Sequence, residues 1–152
     1  MSKEQPDKVF VYGETGWASG GSFKPHKTHQ NGLSVDFMVP VVDGKGKSVA
    51  LPTSIFNKYG YDLAFDSNGK YDDLSIDFEA LAAHLLAIKR AADANQIKIW
   101  RVIFDPKLQP FLRGTTAWPE LDGKVTFSKR RSWVRHDEHY HIDFIIPCKS
   151  LD

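Results

Sequence analysis

The sequence predicts an α+β fold. Three observations carry that expectation: one strong amphipathic helix over residues 77–95, several short β-rich runs elsewhere, and connections that mix hairpin turns with longer loops. A chain of 152 residues suits a single domain with a sizeable core, expected over residues 1–152, and is too short for two ordinary ones.

Taken in order, Val9, Phe10, Val11 and Tyr12 form a short β-rich run stopped by Gly13. Residues 16–24, with Gly20 and Gly21 at their centre, read as a loop able to line a cleft. A strand is expected to leave Ser34 and continue through Val41 and Val42, turn over residues 43–46, and return as residues 48–51 before Pro52. Residues 61–65 read as a further strand and residues 67–70 as its turn. The helix follows, because Phe78, Leu81, Ala82, Leu85, Ile88 and Ala92 recur at helical spacing, with Ser75 or Asp77 as cap and Asn95 at the end. His84 lies off that stripe and reads as a surface residue. Residues 97–104 alternate apolar and basic side chains as a half-buried strand does. Residues 106–113 read as a short helix or turn, and residues 115–122 as a loop around Trp118 and Pro119.

The charge balance, 20 Lys and Arg against 19 Asp and Glu, argues against nucleic acid as a partner held by bulk charge. Cys148 is the single cysteine, so neither an internal disulfide nor a Cys-rich zinc site is expected. No stretch has the length of a membrane span, and residues 1–8 carry charges of both signs without an apolar leader. Membrane insertion is not expected, and the chain reads as a monomer.

Five of the six histidines fall within residues 25–37 and 135–144. His139 and His141 are two apart and run into a β-rich sequence; on a strand they share a face with Cβ atoms about 6 to 7 Å apart. One can ligate a metal while the other handles protons. His29 and Asp36 are seven positions apart, about 23 Å in a fully extended chain, but the turn-forming Gln30, Asn31 and Gly32 between them can fold the chain back. Two imidazoles and one carboxylate give Zn²⁺ three protein ligands and leave the fourth position open, the arrangement of catalytic sites. Asp143 follows on the same strand face and can orient an imidazole, although a plain solvated or salt-bridged carboxylate is the more ordinary case.

These stretches resemble the signature of the LAS metallopeptidases, a group that includes lysostaphin, D-alanyl-D-alanine peptidases and the hedgehog signalling domain. The shared pattern is a histidine, six residues and an aspartate, then a distant His-x-His. The likeness is strongest to the penicillin-insensitive murein endopeptidases: the run from His26 to Asp36 is similar to their first motif and the run from His136 to His141 to their second, with only a loose match between. The resemblance implies a small central antiparallel sheet with peripheral helices. It implies His29, Asp36 and His141 as zinc ligands, His139 as general base, and His26 and His136 as accessory active-site histidines. The substrate it implies is the peptidoglycan stem peptide, cut at the D-alanyl to meso-diaminopimelyl bond.

A D-alanyl carboxypeptidase or dipeptidase of the same fold and a non-catalytic zinc-binding module are the competing expectations. A non-haem iron oxygenase fits less well, because its histidine and acid are usually one residue apart rather than separated by six. Trp17, Trp118 and Trp133 are candidate cleft walls, and Lys24, Arg130, Arg131 and Arg135 candidate partners for substrate carboxylates, although core and solvated roles are the ordinary ones for such residues. Action in the periplasm or cell wall without a leader implies delivery by a leaderless route, phage-type release or trimming of a longer chain. A toxin so delivered would have a cognate immunity protein as partner.

Overall fold

A computed structural model describes residues 5–23, 28–130, 132 and 134–147. Two small antiparallel sheets and a few helices make up a mixed α+β architecture. Strands β1 (Ser34–Met38), β2 (Val41–Val42), β3 (Ser48–Val49), β4 (Lys70–Tyr71) and β5 (Leu74–Ile76) precede the long helix α1 (Phe78–Ala94). Strand β6 (Lys98–Ile103), helices α2 (Gln109–Leu112) and α3 (Trp118–Leu121), and strand β7 (His139–Ile145) complete the order. One sheet has the order β1-β7-β6 and the other β3-β2-β5-β4.

The expected continuous strand from Ser34 to Val42 is divided between these sheets. Pro40 has no N–H to give to a ladder, so pairing stops there. Val39 N still donates to Glu138 O at 3.0 Å, while Pro40 O accepts from Asp77 N at 2.8 Å, at the start of α1. The hairpin beyond it pairs Val41 with Val49 and Val42 with Ser48.

Residues 61–65 are not a strand. Their amides are taken elsewhere: Leu63 N by Gly60 O at 3.0 Å and Phe65 N by the Asp137 carboxylate at 2.7 Å. The pairing strands of this region are instead β4 and β5, with Lys70 opposite Ser75. Trp118 and Pro119 open the helical turn α3 rather than a loop, a position where a missing N–H costs little.

Helix α1 starts where Asp77 accepts from Ala80 N at 2.9 Å. Its stripe of Leu81, Ala82 and Leu85 is fully buried and joins Val102, Phe104, Leu108, Leu112, Leu121, Tyr140 and Ile142 in an apolar cluster that also takes in Val41, Leu74 and Ile76 of the second sheet. His84 is turned inward rather than to solvent: its ring lies tilted against Phe10, meets Phe37 edge-on, and bonds through Nδ1 to the Tyr140 hydroxyl. Among the described residues no helix is long and apolar enough to cross a membrane.

Candidate metal centre

Strand β7 is the middle strand of its sheet, and its register against β1 decides which side chains meet. Directly opposed residues of an antiparallel pair point to the same face. The pairs are Ser34 with Asp143, Asp36 with His141, and Met38 with His139. Strand β6 extends two of these rows, with Arg101 opposite Asp143 and Ile103 opposite His141. One face of the sheet thus carries Asp36 between two rows that hold Asp143 and His139.

His29 reaches the same place by the fold-back. Residues His29–Asn31 form a single 3-10 turn, Gly32 follows with φ 71°, and Asn31 Oδ1 accepts from Leu33 N at 3.0 Å. Residues 11–16 hold this turn and β1 from outside. Gly13 N donates to Asp36 O at 2.9 Å, Asp36 N to Glu14 O at 2.8 Å, and Met38 N to Val11 O at 3.0 Å. A Cβ on Gly16 would stand 1.8 Å from His29 O, and one on Gly13 2.8 Å from Asp36 O, so only glycine allows these approaches.

Among the described residues, the donor atoms of His29, Asp36 and His141 all lie within 4.8 Å of one another, and all three side chains are buried. Asp36 Oδ1 is 2.7 Å from His141 Nδ1 and 3.4 Å from His29 Nε2. Tetrahedral Zn²⁺ with bonds of about 2.0 to 2.1 Å sets its ligand atoms roughly 3.3 Å apart. The His29 separation already matches, and the His141 contact is a hydrogen bond of the kind that an ion would replace. Two imidazoles and a carboxylate are a donor set suited to a divalent ion, so this buried group could hold one.

The second oxygen of Asp36 and the second nitrogen of His141 are taken. Tyr61 donates to Asp36 Oδ2 at 3.0 Å. His141 Nε2 lies 2.7 Å from Asp143 Oδ1, with Thr28 Oγ1 at 3.3 Å. Ser34 Oγ donates to the same Asp143 oxygen at 2.6 Å, and Arg101 Nε to Asp143 Oδ2 at 2.6 Å. Asp143 is thus not a solvated carboxylate: it contacts the His141 imidazole and is salt-bridged to Arg101 as well.

Burial opposes charge on Asp36, yet its bonds with His141 and His29 outweigh burial and hold its carboxyl well below the usual range. Burial likewise works against protonated His141, but carboxylates at both nitrogens push it up to about 9. Asp143 is drawn down to about 2 against burial by His141 and Ser34. Burial and the charge of Asp36 raise the Tyr61 hydroxyl, keeping it a donor.

The second cluster surrounds this group. His139 Nε2 is 3.9 Å from Asp36 Oδ2, and its ring meets that of Tyr61 at 4.8 Å. His136 lies against His139 with centroids 4.4 Å apart and a tilt of 35°. Burial lowers His136 to about 4, and its Nδ1–H donates to Val134 O at 2.9 Å. A carbonyl can only accept, so neutral His136 presents Nε2 as an acceptor.

His26, expected beside them, lies outside the described residues, as do Lys24, Arg131, Trp133 and Cys148. Trp118 packs on Phe127 at the core rather than lining a cleft. Trp17 is 60% exposed and sits edge-on to Phe23, whose ring is 6.1 Å from that of His29. Arg135 is turned inward, donating to the carbonyls of Tyr61 and Leu63 and lying 3.1 Å from Asp137. Tyr61 and Glu138 are contacts that sequence reasoning did not find as site residues. Neither had a periodic signal: strand alternation would turn Glu138 away from His139, and the two meet because Glu138 lies just before β7 begins.

No family model, curated protein or solved structure matches this chain.

Proposed function

We propose that the protein is a zinc-dependent peptidoglycan endopeptidase that hydrolyses stem-peptide cross-links at the D-alanyl to meso-diaminopimelyl bond. The observation that supports this reading is the convergence of His29, Asp36 and His141 within 4.8 Å, with His139 Nε2 beside them at 3.9 Å from Asp36. A three-residue donor set with a histidine at its edge has the parts of a hydrolytic metal site. Zn²⁺ held by these residues supplies Lewis acidity and lowers the pKa of a coordinated water towards roughly 7.

His139 Nε2 takes the proton from water as its oxygen bonds to the scissile carbonyl carbon. It returns that proton to the departing amine nitrogen as the C–N bond breaks. His136, neutral and with Nε2 accepting, suits orienting an N–H of the substrate better than donating to an oxyanion. No serine is needed, so β-lactams, which acylate serine, should not inhibit.

Purified sacculi test the reading. Wild-type protein loaded with zinc is expected to convert muropeptide dimers to monomers. His139→Ala should lose about 10² to 10⁴ of the rate while keeping its metal, and chelation should abolish activity until zinc is restored. Pentapeptides that lose only a terminal residue would assign a carboxypeptidase instead. A zinc-loaded protein inert on every stem peptide would leave a binding module.

A further inference from the structure

We infer that Glu138 is the positioning residue for His139: its carboxylate takes the Nδ1 proton and so fixes Nε2 as the unprotonated nitrogen that faces the metal-binding group. This rests on the reading of His139 as proton acceptor. The contact is direct, with Glu138 Oε1 2.9 Å from His139 Nδ1. Neutral imidazole carries one N–H, and an ionised carboxylate only accepts, so the proton belongs on Nδ1. The lone pair is then on Nε2, 3.9 Å from Asp36 Oδ2. The opposite tautomer would aim an N–H at the place where a proton must be received.

Glu138 is buried. A carboxylate so buried is costly unless paired and hydrogen-bonded. Arg135 Nε, 3.8 Å from Oε2, supplies the countercharge, and Asp137 shares that guanidinium at 3.1 Å. At 3.8 Å that contact is a charge pairing without a hydrogen bond, and burial still raises the Glu138 carboxyl despite Arg135. The short contact of this carboxylate is the one from Oε1 to the imidazole at 2.9 Å.

The ring is fixed on its other sides as well. His136 lies along one side at 4.4 Å, and Tyr61 meets it edge-on at 4.8 Å. Arg135 ties both ends of this frame together, because it also donates to Tyr61 O at 3.0 Å. The Glu138 backbone is pinned in turn by Val39 N, so the acid cannot drift from the strand that carries His139.

The test compares wild type, Glu138→Ala and Glu138→Gln, each loaded with zinc. Histidine ¹⁵N spectra read the His139 tautomer, chelator competition reads zinc affinity, and sacculus digestion reads kcat and KM. The expected result is an Nδ1–H tautomer in wild type and its loss in Glu138→Ala, with kcat roughly 10- to 100-fold lower at unchanged KM and zinc affinity. Glu138→Gln keeps an accepting oxygen and should retain the tautomer and most of kcat. A wild-type His139 protonated on Nε2, or a Glu138→Ala protein with the wild-type tautomer and rate, overturns the inference. If wild type is inert on sacculi, the peptidase reading fails, and the spectra alone still decide whether Glu138 sets the tautomer.

Discussion

Asp36 turns its two oxygens to different tasks. Oδ1 faces His29 and His141, and Oδ2 is held by the Tyr61 hydroxyl at 3.0 Å. A carboxylate with one oxygen occupied is steered towards binding through the other, and a phenol kept protonated by burial and by the charge of Asp36 is a dependable donor. Tyr61→Phe keeps the ring against His139 and removes only that bond. Zinc affinity, read by chelator competition, should fall about 10-fold, within the range for ligand-orienting partners. An unchanged affinity would show that Asp36 needs no such restraint.

At the scale of elements, the group exists because β1 is clamped from both sides. Strand β7 places His141 opposite Asp36, and residues 11–14 bond the outer edge of β1. Gly16 then lets the chain pass against the carbonyl of His29, where a Cβ would stand 1.8 Å away. Gly16→Ala should therefore displace the 3-10 turn and weaken zinc binding, at a stability cost of about 1 to 3 kcal/mol expected for overpacking. Gly44→Ala, with only Asp73 O at 3.9 Å, is the control and should bind as wild type does. Calorimetric zinc titration of the three proteins decides it, and equal affinity in Gly16→Ala would refute the clamp.

What could be read from sequence follows the range of the interactions. Helix α1 is legible because Leu81, Ala82 and Leu85 repeat within one element, and the fold-back between His29 and Asp36 because Asn31 and Gly32 are local turn formers. The division of β1 from β2 is marked in the sequence by Pro40, although the apolar run on both sides of it has the pattern of one strand. Tyr61 reaches Asp36 across 25 positions, and His84 reaches Tyr140 across 56. Neither contact leaves a periodic trace, so both became visible only in three dimensions.

For the molecule as a whole, His84 joins parts that are distant in sequence: α1, the segment of Phe10, Phe37 on β1 and Tyr140 on β7. Burial lowers it from 6.5 to about 4, so it is neutral in the folded protein, and the protonated, fully buried Tyr140 hydroxyl can donate to Nδ1. In the unfolded chain the same imidazole takes up a proton near its ordinary value. Between about pH 6.5 and 4 the unfolded state therefore binds more protons, and stability falls as the pH is lowered through that window and levels off below it. The contribution is at most about 3 kcal/mol. His84→Gln offers Tyr140 an amide oxygen and takes no proton. Urea unfolding at pH 7 and pH 4.5, with chelator present throughout, should show a larger loss of stability on acidification in wild type than in His84→Gln. Equal losses would mean that His84 is already charged within the fold, and the sheet and α1 would then have to hold an imidazolium between two aromatic rings.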